Sequence, residues 1–428
     1  MGKKLSTPLL MVLLIFIFCN YPVLAENPSS IQRSTVNGMS VVLQRNRSEI
    51  VQITLLLKTG SGIEPAGKKG IAYIMNNIVY FVLNDDSRAI ADPVDVTTVP
   101  DYTLITMTTL ARDVKPTLER IKYLLSEPIY SYDIVVDLKE AFTTSLKAML
   151  AQTKTYSDFT KVYYGEGHPY NDWPDLESIR SISGSDVYKW YRQTYQPGNA
   201  ILSICGRVRQ SMADIEKIFS KMGSETVDRH LVIQPRSITQ DKHFQQIDPN
   251  GRATSLCMGF SAPRIQDPEF PAFKVLAYYL EDYQHYFEEL RVKEGLFYSA
   301  SVYYNYIDKP KSPNIVFITM TDPDSLKTVE TRTLDVVKRL INTGISQEEI
   351  DKVVTAMKIE NEARKSSGKG LATRNALSQY LQTQYVYDEI LMPKLEQVKT
   401  EDIQKAAQKY LQHYIEVSYV PKKVEQPF

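Results

Sequence analysis

The chain has 428 residues, 43% of them hydrophobic and 23% charged, with 50 Lys+Arg against 50 Asp+Glu. That balance excludes a mainly disordered chain and a multi-span membrane protein, and zero formal charge gives no electrostatic ground for a nucleic-acid partner. Three cysteines are too few for a disulfide scaffold, and the length suits two or three domains at about 150 residues each. Tyrosine is the outlier, with 28 residues, a side chain common where proteins meet peptides or one another.

Lys3 and Lys4 precede an unbroken apolar run from Leu9 to Cys19, and Val23-Leu24-Ala25 then offers small residues. This is the pattern of a secretory signal peptide over residues 1–25. The run is too short to span a bilayer as a helix, so no stable membrane span is expected after cleavage; a retained anchor is the alternative. Phe18 before Cys19 argues against a lipoprotein cleavage box. The mature chain keeps Cys205 and Cys257, both in apolar strand-like runs, which read as two buried thiols. The expected location is the periplasm or cell envelope.

Val51–Lys58 is a β-branched strand-like run. Across Gly70–Leu83, Ile71, Ile74, Met75, Ile78, Val79 and Val82 recur at the spacing of one helix face. Strands are expected at Val94–Val99 and Tyr102–Leu110 around a Pro100-Asp101 turn, then helices at Val114–Ser126, Tyr132–Thr153 and Asp186–Tyr195, and a strand at Ala200–Cys205. The second half repeats the order. A strand Thr254–Phe260, a helix Pro268–Leu290 and strands Tyr298–Tyr306 and Ile315–Thr321 lead to helices Ser325–Leu340, Gln347–Ala363 and Glu401–Leu411 and a strand Ile415–Val420. The repeat predicts a duplicated α+β domain, each copy a mainly antiparallel sheet with helices on one face. The expected division is residues 26–225, a polar linker 226–240 carrying Pro235 within Gly223–Asp241, and residues 241–428.

Several segments, taken in order, resemble the pitrilysin/insulinase family of metallopeptidases, especially its two-domain processing-peptidase-like members. They are Asn37-Gly38-Met39 before Val41-Val42-Leu43; KTGSGIEPAGKKGIAY from Lys58 to Tyr73; Gly167-His168-Pro169-Tyr170; Tyr195-Gln196-Pro197-Gly198-Asn199; Ile204-Cys205-Gly206; Glu289-Leu290-Arg291; and Gly295-Leu296-Phe297-Tyr298-Ser299. The resemblance implies two similar α+β domains closing like a clamshell. Active members carry His-x-x-Glu-His on the first helix, two zinc ligands one turn apart and a general base. Here those positions read Tyr73-Ile74-Met75-Asn76-Asn77. Both histidines are replaced, by Tyr73 and Asn77, and the base is Asn76, which takes no proton at neutral pH. The third ligand, a Glu on a later helix, is also missing, since Asp158 is the one acidic residue between Glu140 and Glu166. The chain is therefore expected to be inactive alone, with no catalytic residue, metal or cofactor of its own. Tyr73, Asn76 and Asn77 are then one face of a helix, a former metal site in a groove wall.

The resemblance also carries over an Arg and a Tyr seven residues apart that reach the substrate backbone; Arg291 and Tyr298 match in identity and spacing. An Arg offers a fixed fork of donors, and a Tyr hydroxyl can donate to a developing oxyanion. Read without the resemblance, Arg291 is a helix-end charge and Tyr298 a strand residue. The stretch Leu280–Tyr286 departs from the small residues usual before this Leu-Arg. Glu281, His285 and Glu289 share a helix face and make a candidate metal half-site, but a site needs three or four ligands and no second His lies near in sequence, so a solvated helix face is the preferred reading. His168 reads as a turn residue, and His230, His243 and His413 are scattered. Tyr278, Tyr279, Tyr283 and Tyr286, with Tyr298, Tyr303, Tyr304 and Tyr306, are divided between core and a peptide channel or partner surface.

Three functions remain open. The first is a non-catalytic, substrate-binding subunit of a heterodimeric peptidase, whose partner is a zinc-bearing homologue and whose substrate is a peptide. The second is a peptide-binding or structural scaffold without a peptidase role. The third is a metallohydrolase built on the Glu281/His285/Glu289 face.

Overall fold

The computed structural model describes residues 31–84, 94–127, 132–171, 173–223, 231–249, 251–281, 286, 288–367, 370–382 and 388–422. The signal segment and His285 lie outside them. Among the described residues the strands form two sheets. The first is built from β1 (Ile31–Val36), β2 (Met39–Arg45), β3 (Ile50–Leu57), β4 (Asp95–Thr98), β5 (Thr103–Leu110) and β6 (Ala200–Gly206), in the order β1-β2-β6-β3-β5-β4. The second uses β7 (Lys242–Asp248), β8 (Thr254–Ser261), β9 (Ser299–Tyr304), β10 (Asn314–Thr321) and β11 (Tyr414–Pro421), in the order β7-β11-β8-β10-β9.

Laid side by side, the two orders are the same, β2-β6-β3-β5-β4 against β7-β11-β8-β10-β9, with β1 added as an outer hairpin strand. Each sheet has one parallel pair, β2 with β6 and β7 with β11, and is otherwise antiparallel. The duplication read from the sequence is thus a duplication of topology. The added hairpin turns on Asn37 and Gly38, both at positive φ (48° and 77°), the backbone that a two-residue hairpin loop demands and that Asn-Gly adopts most readily.

Helices cover one face of each sheet. In the first half these are α1 (Ile71–Asn84), α2 (Val114–Ser126), α3 (Tyr132–Tyr164), α4 (Leu176–Ser181), α5 (Gly184–Thr194) and α6 (Met212–Phe219). The α1 stripe is buried as its periodicity requires, with Ile71, Ile74, Met75, Ile78 and Val79 packed against Leu55, Leu57 and Ile105 of the sheet. The second half has α7 (Phe270–Leu280), α8 (Leu326–Thr343), α9 (Gln347–Ser367), α10 (Leu371–Leu381), α11 (Asp388–Leu395) and α12 (Thr400–Tyr410). The helix expected over Pro268–Leu290 is shorter: α7 ends at Leu280, and a separate π-helical turn occupies Glu288–Lys293. Tyr279, Tyr286 and Tyr304 are core, whereas Tyr298 and Tyr303 are exposed.

The opposite face of each sheet is covered by a helix from the other half. The helix expected to end near Thr153 continues to Tyr164, and its last turns lie on the second sheet, where Phe159 and Tyr163 pack with Cys257, Val316, Ile415 and Val417. In return α10 lies on the first sheet, where Ala376 and Leu377 pack with Val42, Leu56 and Ile201. Polar contacts follow the same exchange: Thr54 with Thr373 at 3.0 Å, Asn375 Nδ2 donating to Gln44 at 2.8 Å, and Thr155 with Ser255 at 2.5 Å. Much of the tyrosine surplus sits at this seam. Tyr164 donates to Ser312 O (2.8 Å), Tyr163 to Pro313 O (3.2 Å), Tyr102 to Ile307 O (3.3 Å) and Tyr380 to Asp101 O (3.3 Å). The fully buried Asp101 side chain pairs with Lys311 at 2.7 Å. Burial raises its pKa, and the Lys311 charge offsets part of that rise. The described part of the linker runs over the second half without regular structure, pinned by Arg236 N to Ser312 Oγ (2.9 Å) and Ile238 N to Ser261 Oγ (2.8 Å). Cys205 and Cys257 are buried free thiols, and burial pushes the Cys205 thiol up to about 12.

Candidate functional site

Tyr73, Asn76 and Asn77, the positions that the resemblance aligns with the zinc motif, lie on the first turns of α1. Gly70, at φ +97°, turns the chain into the helix, and Glu64 caps it by accepting from Gly70 N (3.0 Å) and Ala72 N (2.8 Å). Tyr73 stacks on Phe142 of α3, with centroids 3.7 Å apart and planes at 18°. Asn76 accepts from Thr98 Oγ1 of the edge strand β4 at 2.9 Å. Asn77 donates back to Tyr73 O at 2.9 Å. The three positions are committed to packing and hydrogen bonding within the fold. On α3, the residues lining the same space are Phe142, Met149 and Tyr156, two turns apart from one to the next. Asp158 is held across the seam instead, 2.5 Å from the Tyr419 hydroxyl and paired with Lys161 (2.9 Å) and Lys154 (3.1 Å). Among the described residues no carboxylate of α3 lines this space, and Glu64 is spent on the helix cap. Among the described residues lining this space there is no histidine.

What remains is an aromatic-walled pocket of about 330 Å³ between the halves. Tyr73, Phe142, Tyr156, Tyr170 and Trp173 come from the first half, and Asn305, Asp308 and Lys309 from the second. Lys309 is only 7% exposed; its Nζ donates to the Tyr156 hydroxyl at 2.8 Å and lies 4.9 Å and 5.3 Å from the Tyr156 and Tyr164 ring centroids. Burial pulls its pKa down to about 8 and pushes that of Asp308 up. Nothing in the sequence pattern marks Lys309. Its place is set by the seam, and the surplus of tyrosine was the one outward sign.

This lysine has a consequence for pH. The unfolded chain holds the proton to the ordinary lysine value near 10.5, the folded chain only to about 8. Between those values the unfolded state binds more protons, so stability rises with pH; below about 8 the full penalty of the buried charge applies. Urea unfolding of wild type and Lys309→Met should show the variant favoured near neutrality and its advantage shrinking above pH 8. A pH-independent difference would contradict the burial of a charged amine.

Arg291 lies in the π-helical turn, closed by Gly295 N to Arg291 O at 3.0 Å with Gly295 at φ +68°. Tyr298, 58% exposed, immediately precedes the edge strand β9; its hydroxyl donates to Asp322 Oδ1 at 2.5 Å, and this bond raises its pKa. Neither residue lines the pocket that contains Tyr73 and Asn76. Of the candidate helix-face metal set, Glu289 makes a forked pair with Arg339 at 2.7 and 3.2 Å, which favours the structural reading of that face. His168 is a turn residue, its Nδ1 accepting from Tyr170 N at 3.0 Å and its ring stacked on Tyr164.

Fold and site together describe a protein of two halves with one sheet topology and an aromatic-walled pocket between them. Residues 181–357 match the family described as the peptidase M16 inactive domain. That match, over less than half of the chain, supports the resemblance to the pitrilysin/insulinase type read from the sequence. The fold of the chain is similar to that of a protease from Helicobacter pylori, with TM-score 0.80 and 17% identity over 92% of this chain and 100% of that one. It is also similar to a peptidase M16 inactive domain from Pseudomonas fluorescens (0.77, 16%, 93% and 100%) and to the first half of the periplasmic protease PqqL from Escherichia coli (0.70, 13%, 91% and 92%). At these identities the likeness is one of fold. No curated protein sequence matches the chain.

Proposed function

We propose that the chain is an exported, substrate-binding subunit of a heteromeric zinc peptidase, working in the periplasm or cell envelope. The observation that carries this reading is a division within the chain. The ligands, the base and the third carboxylate are all replaced on α1 and α3, while the two-half architecture, Arg291 and Tyr298 are kept. In this role the chain needs no catalytic metal. A homologous partner brings His-x-x-Glu-His and zinc, and this chain contributes the Arg–Tyr pair and half of a peptide chamber. Among the described residues no helix is long and apolar enough to cross a membrane; export rests on the signal-like pattern of residues 1–25. A scaffold or peptide-binding role without proteolysis is favoured by one observation, the Tyr298 hydroxyl already bound to Asp322.

The test is cleavage of an unstructured peptide by a zinc-bearing homologue from the same cell, with and without this chain, and by this chain alone. The expected result is no chelator-sensitive cleavage by this chain and faster cleavage by the pair than by the partner. Equal rates with and without the chain would replace the subunit reading by the scaffold one.

A further inference from the structure

A second cluster of ionisable groups lies on the second sheet, and none of its members lines the aromatic pocket. Strands β7 and β11 run parallel with His243 opposite Glu416. Ile415, Val417 and Tyr419 face α3, so alternation turns Glu416 to the other face of the sheet. There Glu330 of α8 meets it, and one donor atom from each of His243, Glu330 and Glu416 lies within 4.8 Å of the others.

The electrostatics of this cluster are incomplete. The Glu416 side chain is 8% exposed, and among the described residues its Oε2 accepts no hydrogen bond. Its nearest cationic candidate is His243 Nδ1, 3.4 Å away on a half-exposed ring. Lys327 pairs with Glu330 at 2.8 Å and so neutralises one of the two carboxylates. A second buried carboxylate is left without a matched counter-charge, an arrangement proteins avoid unless a cation or proton is supplied.

We propose that His243, Glu330 and Glu416 bind one divalent cation of the zinc class. One imidazole and two carboxylates are a donor mix suited to Zn²⁺ or Mn²⁺, and the exposed side of His243 leaves a position for water. The role is structural. β7 is a polar edge strand with five consecutive exposed residues, His243 to Ile247 apart from its register bonds to β11, and the cation ties it to β11 and α8. This site is separate from the α1 positions and does not depend on the peptidase reading.

The experiment uses the full mature chain stripped by chelator. Zn²⁺ and Mn²⁺ are titrated, with Ca²⁺ as the control because it takes six to eight oxygen ligands, on the order of twice this donor set. Metal content after desalting, Tm and hydrogen exchange of the β7 amides are read. One equivalent of Zn²⁺ should bind, raise Tm and slow exchange in β7. His243→Ala, at a half-exposed position that leaves folding intact, and Glu330→Gln should each weaken binding by more than about 100-fold, beyond what loss of an outer-shell partner costs. Absence of an equivalent in the wild-type chain, or unchanged binding in both variants, would overturn the proposal. So would a metal-independent rise of Tm on acidification with no zinc uptake at neutral pH, which would show a proton shared by Glu330 and Glu416 in the cation's place.

Discussion

Phe159→Ala should lower the unfolding free energy by about 3–5 kcal/mol, the range for deleting a fully buried aromatic side chain. Phe159 has no exposed surface and is stacked between Tyr156 and Tyr163 at centroid distances of 6.2 and 5.8 Å. Its ring fills the space that Gly259 of β8 leaves open, since a Cβ on Gly259 would lie 2.2 Å from the Phe159 ring. That fit joins the two halves, because the same helix is core to the first sheet through Phe142 and Leu146 and to the second through Phe159. Against a total stability of about 5–15 kcal/mol the loss is large. Urea unfolding should show a lower midpoint, and a lower m-value if the halves then unfold separately. Gly259→Ala should act in the same direction by displacing the ring. An unchanged midpoint in both variants would mean that the seam contributes little.

Tyr298→Phe in the reconstituted pair should reduce kcat by about 10²–10³, the usual result of removing an oxyanion donor. The same variant should leave the stability of the isolated chain within about 0.5 kcal/mol, because the side chain is largely exposed. In the isolated chain the hydroxyl donates to Asp322, so substrate binding must exchange that acceptor for the peptide. Arg291→Ala should raise KM with little change in kcat, since a contact to the peptide backbone exists in ground and transition states alike. Assembly of the pair, followed by size-exclusion chromatography, should be normal for both. If neither variant alters cleavage while the pair still forms, the two residues are structural and the Arg–Tyr assignment fails.

Local pattern carried a large part of the fold. The apolar spacing on α1 and the β-branched runs of β3, β5, β8 and β10 are properties of neighbours in sequence, and the duplication is legible in the repeated order of elements. β7 escaped because Lys242–Asp248 has the polar face of an edge strand and takes its conformation from pairing with β11, far along the chain. α10 escaped because it follows Gly370 at φ +79° and its apolar residues serve a distant sheet, not its neighbours. The loss of the zinc ligands was readable residue by residue, and α1 shows what each replacement does. Lys309, Trp173 and Glu416 were not readable, because their partners come from elements far away in sequence and no local spacing encodes such meetings. The distance between Arg291 and Tyr298 was equally beyond the reach of spacing, since a turn closed by Gly295 separates them.

The exchange of α3 and α10 between the sheets also governs how the chain must be made. Once Gly206 has left the ribosome, the first sheet has its full set of strands, yet Val42, Leu56 and Ile201 have nothing to lie against until Leu381 is synthesised. At about 5–20 residues per second that interval is roughly ten to thirty-five seconds. During it the nascent chain presents a bare apolar sheet face, and the end of α3 waits for a sheet that does not yet exist. Such a protein gains from being kept unfolded until its C-terminal third is complete, so that both sheets and both exchanged helices can fold together.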